Sequence, residues 1–489
     1  MKLSRLAQRV AGASLTGNAT TEISSLAYDS RQVAPGGLFF ALPGTRTDGS
    51  RYIDEAVRKG AVAVVHEPGL RLPPGIAGIS APCARTAMAD IAATFYGHPS
   101  DALDVIGITG TNGKTTTAFM VRDILQAANQ TCGIIGTIRY EIGSRHIVAR
   151  RTTPESLDLQ RMLAAARQAD CRALAMEVSS QGLAAERLRG TRFAATVFTN
   201  LSEDHLDFHQ TMEAYFATKQ RLFTDEFART ETSRAIINTD DPYGQRLAAD
   251  PALKERLITL GTHPSADVRA EDIQLSETTS SFQAITPWGS AHLTLNVTGR
   301  FNVMNALAAI AVGGSRGIPL PAMVSALANM EPVPGRLERI PDAKGRHIFV
   351  DYAHTEDALR NVLTALRETA PGQLICVFGC GGNRDAHKRP LMGAAASAIA
   401  HRVIVTSDNP RNEDPDAIIA QIVAGMDVTK PHRVEPDRTR AIHAALREAA
   451  PGDTILIAGK GHEPYQEVAG RLIHFDDREV VRAALSSGI

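Results

Sequence analysis

A glycine-rich turn with a lysine and three threonines is the clearest chemical feature of the sequence. Residues 110–116 read GTNGKTT and lie between a short apolar run and a helical pattern. Such a turn lets backbone N–H groups face a phosphate chain, and the helix N-terminus adds partial positive charge. Lys114 would reach the β- and γ-phosphates, and the Thr115 hydroxyl would bind Mg²⁺. The usual pattern requires glycine where Ile108 stands, but the arrangement still predicts nucleotide binding.

Carboxylate and imidazole groups follow two other apolar runs. Glu177 lies at the carboxyl end of the strand predicted from the run RALAMEV, and Asp204 and His205 lie beyond the run ATVF. Because the carboxyl ends of parallel strands meet at the ligand crevice of a doubly wound sheet, Glu177 and His205 are predicted to lie near Thr115 and to hold magnesium. The alternative for His205 is a histidine whose hydrogen bonds are purely structural.

A third polar stretch, TSDNPRNEDP at residues 406–415, follows the apolar run VIVT. It places Asp408, Asn409, Pro410 and Arg411 side by side. A surface turn explains these residue types, and so does a pocket for a small zwitterion. The nearby GCGGNRD (379–385) does not have the GxGxxG spacing, so a dinucleotide site is not predicted there.

The overall composition is that of a folded globular protein of several domains. The chain has 489 residues, 44% of them hydrophobic and 21% charged, with a net charge of −1. Near-neutral charge gives no indication of a nucleic-acid or membrane partner. Five scattered cysteines and the lack of a signal-peptide or membrane-spanning pattern predict a cytoplasmic protein.

Apolar runs that alternate with helical patterns predict an α/β fold in three domains. Residues 1–100 mix short strands with Gly/Pro turns and form the first domain. Residues 101–335 are predicted to form a parallel sheet like that of P-loop ATPases, and the linker EPVPGRLERI ends this domain. Residues 336–489 repeat the alternation in the runs HIFVDYA, QLICVFG, RVIVTSD and DTILIAG, which predicts a C-terminal Rossmann-like domain.

Nine motifs in one order resemble those of the Mur ligases. They are GTNGKTT, EVSSQGL, FTNLSEDHLD, ATKQRLF, GRFNVMNALAA, GRLE, VDYAHTEDAL, GCGGNRD and AGKGHE. The resemblance covers nearly the whole chain and is closest to the branch that adds the third amino acid of the peptidoglycan stem peptide. It implies a usually monomeric enzyme that joins a carboxylate to an amine by way of an acyl phosphate. The implied substrates are ATP, a UDP-MurNAc-dipeptide and an amino acid, with Mg²⁺ as the cofactor.

The same resemblance assigns roles to individual residues. Lys114, Lys219, His205 and Glu177 correspond to catalytic residues. Lys219 corresponds to a lysine that CO₂ converts to a carbamate (N6-carboxylysine), which holds magnesium together with Thr115, Glu177 and His205. From chemistry alone Lys219 would be an ordinary solvated side chain. The implied ATP-binding residues are Gly110, Thr111, Asn112, Gly113, Lys114, Thr115, Thr116, Asn302, Asn305, Arg336, Asp351 and His354.

Two further sets of residues are implied for the other substrates. The UDP-substrate set is Tyr28, Ser30, Thr45, Arg46, Thr47, Thr152, Thr153, Ser179 and Arg187, although plain turn residues explain its N-terminal members equally well. The amino-acid set is Arg384, Asp408, Asn409, Pro410, Arg411, Gly459 and Glu463. In this family the pattern DNPR marks the members that add meso-diaminopimelate, whose second carboxylate suits the guanidinium of Arg411.

Three alternatives remain open at this point. The chain could belong to the branch that adds L-lysine, or it could be similar to folylpolyglutamate synthetase, which shares the architecture and reaction class. From a different class, a P-loop switch would hydrolyse a nucleotide without consuming an acid and an amine.

Overall fold

Strands and helices alternate along most of the chain, as the sequence predicts. The computed structural model describes residues 1–44, 47–224, 226–228 and 232–489. Contacts between residues divide the chain into two units. The first unit consists of Met1–Thr109, Asn129–Val197 and Thr218–Ala235, and the second of Gly110–Ala128, Phe198–Ala217 and Ile236–Ile489. Within the described ranges, no helix is long and apolar enough to cross a membrane.

The N-terminal hundred residues form a five-stranded sheet with three short helices. In chain order the elements are α1 (Leu3–Ala7), β1 (Ser14–Thr16), β2 (Ser25–Ala27), β3 (Gly37–Phe40), α2 (Ile53–Arg58), β4 (Ala61–His66), β5 (Ala77–Ser80) and α3 (Ala84–Phe95). The strand order is β1-β5-β4-β3-β2, and only β1 pairs antiparallel. Predicted Thr45 and Arg46 lie outside the described residues.

The middle of the chain combines parallel strands with antiparallel extensions. Its elements are β6 (Asp104–Thr109), α4 (Lys114–Ala127), β7 (Cys132–Ile135), β8 (Arg139–Ile142), β9 (Arg145–Val148), α5 (Ser156–Gln168), β10 (Ala173–Glu177), α6 (Ser180–Ala184), β11 (Ala195–Phe198), α7 (Leu206–His209), α8 (Met212–Gln220), β12 (Arg234–Asn238), α9 (Pro242–Ala248), β13 (Leu257–Gly261), β14 (Val268–Leu275), β15 (Ser280–Thr286), β16 (Gly289–Leu295), α10 (Arg300–Ser315) and α11 (Leu320–Ala328). In the first unit β6, β10 and β7 are parallel neighbours, which confirms the predicted parallel sheet. In the second unit β14, β15 and β16 form an antiparallel meander that the sequence analysis missed.

The C-terminal part of the second unit is a Rossmann-like sheet. Its elements are β17 (Glu338–Ile340), β18 (His347–Asp351), α12 (Glu356–Thr369), β19 (Leu374–Phe378), α13 (Lys388–Ile399), β20 (Arg402–Val405), α14 (Pro415–Val423), β21 (His432–Val434), α15 (Arg438–Glu448), β22 (Thr454–Ala458), β23 (Tyr465–Val468), β24 (Arg471–His474) and α16 (Asp477–Ser486). The order β17-β18-β22-β19-β20-β21 is parallel except for β17, and β23 and β24 form a separate hairpin.

Alternate residues of these parallel strands enter two different hydrophobic clusters. Cys376 and Phe378 of β19 pack with helices α12, α13 and α14, whereas Ile375 and Val377 pack with α15 and α16. Because successive side chains of a strand point to opposite faces, both faces of this sheet are covered. The predicted α/β class with a Rossmann-like C-terminal part is therefore confirmed.

A buried ion pair fixes the carboxyl ends of β20 and β22. Arg438 and Asp477 are fully buried, and Nε of Arg438 lies 2.7 Å from Oδ1 of Asp477. The same guanidinium donates to the carbonyls of Ser407 (3.3 Å) and Ala458 (2.9 Å). It thus ties together the two backbone segments that precede Asp408 and Gly459.

Removal of one partner of this pair should destabilise the protein strongly. Asp477→Ala leaves a guanidinium buried without its carboxylate, and we expect a loss of about 3–5 kcal/mol in the free energy of unfolding. The exposed pair Arg246–Glu213 is the control, since its side chains are 56% and 64% exposed, and Glu213→Ala should cost less than about 1 kcal/mol. Urea unfolding followed by circular dichroism measures both, and equal losses would contradict the prediction.

Candidate active site

The phosphate loop has the predicted form, with its lysine folded back over the turn. Lys114 is the first residue of α4, and its Nζ donates to the carbonyls of Gly110 (2.9 Å) and Thr111 (2.8 Å). Gly113 has a positive φ of 86°, and a Cβ there would lie 2.4 Å from Oδ1 of Asn305. This position therefore requires glycine. The loop is shaped to leave its N–H groups and Lys114 at the N-terminus of a 14-residue helix.

Side chains from other segments of the second unit form hydrogen bonds with Asn112 of the phosphate loop. The backbone N–H of Asn112 donates to Oδ1 of Asn200 (2.9 Å), and the Thr199 hydroxyl donates to the Asn112 carbonyl (2.6 Å). Nδ2 of Asn112 donates to Oδ2 of Asp357 (2.8 Å), which also accepts from Ser202 (2.8 Å). Asn200 and Asp357 lie in recognised motifs, but the sequence analysis did not select them.

The linker arginine contacts the loop 110–116, and its contact with the nucleotide phosphates stays a prediction. Nη2 of Arg336 donates to the Thr115 hydroxyl at 3.0 Å, and the guanidinium lies 4.5 Å from the centre of the Tyr352 ring. Asp351 accepts from the backbone N–H groups of Leu337 (2.6 Å) and Ala353 (2.7 Å). Burial raises the pKa of Asp351, and Arg336 opposes this shift. Asp351 thus holds the backbone next to Arg336 in place.

A cavity of about 290 Å³ opens beside the loop within the second unit. Its lining includes Thr116, Asn302 and Arg336 from the predicted ATP set, together with apolar side chains such as Phe349. Nδ2 of Asn302 donates to the carbonyl of Thr298 (2.8 Å). A cavity with apolar walls and a few polar groups suits a flat heterocyclic base.

The side chain of Asn305 bonds residues of α4 and α10. Its Oδ1 accepts from the Thr117 hydroxyl (3.3 Å), and its Nδ2 donates to Oδ1 of Asn302 (3.2 Å). These bonds give Asn305 a structural role in holding α10 against α4. Its predicted contact with the base remains a prediction.

His354 and His205 both influence the half-buried carboxylate of Asp204 in the second unit. Burial, reinforced by Lys388, lowers the pKa of His354 to about 4, so this imidazole is neutral near pH 7. For Asp204, burial would raise the pKa, but His205, His354 and Lys388 together hold it below its usual value. Nε2 of His205 lies 3.4 Å from Oδ2 of Asp204. The His205 ring thus has a carboxylate neighbour, and its role as a metal ligand stays a prediction.

Glu177 and the partner of Lys219, Thr109, lie at the carboxyl ends of the neighbouring strands β10 and β6 in the first unit. Oε1 of Glu177 accepts from the backbone N–H of Thr137 (2.8 Å), and Oε2 accepts from its hydroxyl (3.0 Å). Lys219 is 1% exposed and donates to the Thr109 hydroxyl at 3.4 Å, which donates to the carbonyl of Val178 (2.8 Å). The interpretation of Lys219 as an ordinary solvated residue is therefore wrong. Among the described residues, no group of three or more His, Cys, Asp or Glu could hold a metal.

Four predicted UDP-substrate residues lie next to Glu177. The hydroxyls of Thr152 and Thr137 are 3.0 Å apart, and the Thr153 hydroxyl donates to the carbonyl of Glu177 (2.9 Å). Ser179 caps α6, and its hydroxyl donates to that of Thr153 (3.0 Å). Nη1 of Arg187 donates to the Thr153 carbonyl (3.1 Å).

A buried carboxylate with three arginines adjoins these hydroxyls. Glu155 is 5% exposed and lies within 2.6 Å of Arg151, 3.1 Å of Arg85 and 3.2 Å of Arg187. Burial is the main cause that lowers the pKa of Arg187, and Glu155 opposes it. Three guanidinium groups around one carboxylate leave positive charge for an anionic ligand. The stretch RTTPES contains Arg151 and Glu155, but the sequence analysis selected neither.

The predicted UDP-substrate residues near the N-terminus form hydrogen bonds with other side chains of the protein. The Tyr28 hydroxyl donates to Asp158 (2.5 Å), and burial raises the pKa of this phenol. The Ser30 hydroxyl donates to Glu55 (2.9 Å), and the hydroxyls of Thr47 and Tyr52 are 3.2 Å apart. Their contacts with a substrate remain predictions.

The stretch 408–411 forms a polar site at the carboxyl end of β20. Asp408, Asn409 and Pro410 are buried, which excludes the alternative of an exposed surface turn. Nδ2 of Asn409 donates to Glu463 (2.9 Å), and its Oδ1 accepts from Nζ of the buried Lys460 (3.0 Å). Burial raises the pKa of Glu463, with Lys460 acting against this shift. Lys460 lies inside the motif AGKGHE, yet the sequence analysis did not single it out.

Glycine and arginine residues complete this site. A Cβ on Gly459 would lie 2.6 Å from Oδ2 of Asp408, and φ at Gly459 is 115°. Nη1 of Arg411 donates to the carbonyl of Gly382 at 2.7 Å. The predicted Arg384 is exposed. Arg389, which sequence reasoning missed, is buried and bonded to Glu413 at 2.9 Å.

The loop 110–116, Arg336 and the polar stretch 408–411 all lie in segments that match descriptions of one enzyme family. Three segments match family descriptions: 22–96 a Mur ligase family catalytic domain, 108–313 a Mur ligase middle domain and 335–461 a Mur ligase glutamate ligase domain. The chain belongs to the Mur ligase family.

Proteins with similar sequences indicate which branch of this family the chain resembles. The chain is 45% identical over 503 residues to a UDP-N-acetylmuramoyl-L-alanyl-D-glutamate–2,6-diaminopimelate ligase of Geobacter metallireducens, covering 99% of this chain and 98% of the relative. It is 45% identical to the protein of that name from Thermosynechococcus vestitus, with 95% and 93% covered. A solved structure of the same name has a TM-score of 0.69 at 33% identity, covering 100% of this chain and 99% of the other.

Membership of this family excludes one of the three alternatives left open by the sequence, the P-loop switch. The chain is an ATP-dependent ligase, so the P-loop switch is excluded. The two relatives at 45% identity are named as diaminopimelate ligases, and the similarity covers nearly their full lengths. This favours the diaminopimelate-adding branch over the lysine-adding branch and over folylpolyglutamate synthetase.

Proposed function

We propose that this enzyme adds meso-diaminopimelate to UDP-N-acetylmuramoyl-L-alanyl-D-glutamate at the expense of ATP, in the synthesis of a peptidoglycan precursor. The observation that carries the choice of amino acid is Arg411 at the carboxyl end of β20, in contact with a partly buried polar site. Only an amino acid with a second carboxylate makes full use of this guanidinium. L-Lysine has no such group and would leave Arg411 without a ligand.

The nucleotide site supports ATP as the co-substrate. Residues 110–116 would bind the phosphates through backbone N–H groups and Lys114, and the cavity beside Asn302 would receive the base. Arg336 donates a hydrogen bond to the Thr115 hydroxyl and would contact the phosphates. Asp351 and His354 belong to the same part of the second unit and would position this linker and the ribose.

The reaction needs an activated carboxylate, because oxide is a poor leaving group. The substrate carboxylate attacks the γ-phosphorus of ATP and yields ADP and an acyl phosphate. The neutral amine of the amino acid then attacks the acyl carbon, phosphate leaves, and the amine gives up a proton as the amide forms. Lys114 would lower the repulsion between the nucleotide and the attacking carboxylate.

We propose magnesium as the cofactor of this reaction. Hard divalent cations prefer oxygen ligands, which the carboxylate of Glu177 and the hydroxyl of Thr115 would supply. Magnesium would neutralise phosphate charge during the transfer. We propose His205 and a carbamate on Lys219 as further ligands. A carbamate converts the buried cation of Lys219 into an anion, which suits a neighbour of a metal ion.

The remaining substrate groups have matching residues. Thr152, Thr153, Ser179 and Arg187 would contact the sugar-peptide, with charge from Arg85 and Arg151 close by. Tyr28, Ser30 and Thr45–Thr47 are proposed for the UDP end. We also propose that the enzyme acts as a monomer with three domains at 1–100, 101–335 and 336–489.

A coupled assay tests this function. Phosphate release by the purified protein should require ATP, the UDP-MurNAc-dipeptide and meso-diaminopimelate together. With L-lysine at matched concentration, kcat/KM should fall by about 30-fold or more, since the contact between a substrate carboxylate and Arg411 is lost. Equal use of the two amino acids would contradict the proposed substrate, and phosphate release without the dipeptide would contradict the ligase reaction.

A further inference from the structure

An aspartate of helix α12 is bonded to two segments from the middle of the chain. Oδ2 of Asp357 accepts hydrogen bonds from Nδ2 of Asn112 and from the hydroxyl of Ser202, both at 2.8 Å. All three residues belong to the second unit, but Asp357 lies 245 and 155 residues after these two partners. The contact therefore joins the C-terminal Rossmann-like part directly to the phosphate loop.

The backbone of Asn112 is held by other residues, so its side chain is a fixed point for Asp357. The N–H of Asn112 donates to Oδ1 of Asn200 (2.9 Å), and its carbonyl accepts from the Thr199 hydroxyl (2.6 Å) and from Nδ2 of Asn200 (3.2 Å). The N–H of Thr111 donates to the carbonyl of Asn200 (2.9 Å). Loss of the Asp357 carboxylate should therefore release α12 and leave the shape of the loop unchanged.

Arg336 supplies a second contact between the C-terminal part and the same loop. Its Nη2 donates to the Thr115 hydroxyl at 3.0 Å, so the contacts at Asn112 and Thr115 flank Lys114 in the chain. A single contact leaves one body free to rotate on another, whereas two contacts set its orientation. Asp357 and Arg336 together thus orient the C-terminal part on the phosphate loop.

A well-bonded segment connects Asp357 to the residues proposed for the nucleotide. Asp351 accepts from a backbone N–H of the linker at 2.6 Å, and Nζ of Lys388 donates to the carbonyl of His354 at 2.7 Å. The Thr355 hydroxyl caps α12, two residues before Asp357. The position of Asp357 is therefore transmitted to Asp351 and His354.

The carboxylate of Asp357 is poorly suited to bind the nucleotide itself. It cannot donate to a phosphate oxygen, and it repels phosphate charge. It also repels Asp241, whose pKa is raised mainly by burial and further by Asp357. An acid in a first helical turn usually stabilises the helix N-terminus, but Glu356, which pairs with Arg360, already does so for α12. Its two hydrogen bonds across the chain are what distinguish Asp357.

We propose that Asp357 is a positioning residue of the ligase reaction, which acts by bonding Asn112 and Ser202. These bonds align the segment of Asp351 and His354 with the loop that would hold the transferring phosphoryl group. A small misalignment of reacting groups slows the chemical step more than it weakens binding. The inference rests on the proposed function, because ligase turnover measures it. Failure of the proposed function would appear in the wild-type protein, and failure of the inference in the comparison of variants.

Two substitutions of Asp357 separate its hydrogen bonds from its charge. Both bonds end on Oδ2, so the amide oxygen of Asp357→Asn can accept both, and kcat should stay within about threefold of wild type. Asp357→Ala loses both bonds and should lower kcat about tenfold or more. The dissociation constant of ATP, measured without the other substrates, should change less than about threefold in either variant. Glu356→Gln, in the same helical turn, is the matched control and should leave kcat unchanged.

A double-mutant cycle tests whether the contact with Ser202 operates during turnover. Ser202→Ala alone should lower kcat about threefold or more. In the background of Asp357→Ala it should have no further effect, because the bond is already lost. Ser202→Ala also decides the question if Asp357→Ala does not fold, since an unchanged kcat in Ser202→Ala would contradict the proposal.

Four other results would overturn the inference. An unchanged kcat in Asp357→Ala would mean that the contact serves only the stability of the fold. Equal losses in Asp357→Ala and Asp357→Asn would mean that the negative charge acts and not the bonds. Additive losses in the cycle would mean that Asp357 and Ser202 act separately. A loss of ATP affinity as large as the loss of kcat would mean that the loop itself has changed shape.

Discussion

Lys114→Ala is expected to lower ligase turnover by about 100- to 1000-fold or more, because the charge that stabilises the transferring phosphoryl group is lost. Nζ of Lys114 bonds two carbonyls of its own loop, so it is held where the phosphates would lie. The helix N-terminus and the backbone N–H groups remain in the variant. Nucleotide binding should therefore weaken less than turnover.

The measurement is phosphate release with all three substrates at saturation, together with the dissociation constant of ATP. Lys344→Ala is the control, since Lys344 is a surface lysine that donates to the carbonyl of Gly488 at 2.7 Å. It should keep full turnover. ATP consumption that survives intact in Lys114→Ala would show that residues 110–116 are not the nucleotide site.

Local patterns account for the parts of the fold that the sequence predicts well. The helical pattern that follows the phosphate loop is confirmed as α4, whose Phe119, Met120, Ile124 and Leu125 are all buried. The antiparallel meander of β14, β15 and β16 was missed, although alternate residues of β15 are buried. A half-buried meander has weaker runs of apolar residues than a parallel strand covered on both faces, and it is harder to recognise.

Pairs that are distant in the chain account for what the sequence did not predict at the site. The partners of Asn112 include Asp357, 245 residues later. Glu467 lies 56 residues beyond Arg411 and meets it only because β23 bonds to the stretch 408–411. A single sequence contains no signal for such pairs. Motifs select the segments of a site, but the fold decides which side chains in them face each other.

Lys219→Ala should be nearly inactive, with turnover reduced by about 100-fold or more, and a small carboxylate such as acetate should partly restore it. Lys219 is buried and lies at the carboxyl ends of β6 and β10 through the Thr109 hydroxyl. A bare ammonium is costly in such a place, whereas a carbamate next to magnesium is an anion beside a cation. Alanine leaves space that a free carboxylate can occupy.

Lys114→Ala is the matched control for this rescue, because its missing group is a cation and acetate cannot replace it. Added acetate should therefore raise turnover in Lys219→Ala and leave Lys114→Ala unchanged. Mass spectrometry of the intact wild-type protein under native conditions should show the added mass of one CO₂, which Lys219→Ala should lack. Full activity of Lys219→Ala, or rescue of both variants alike, would remove the carbamate from the mechanism and leave Lys219 a structural cation.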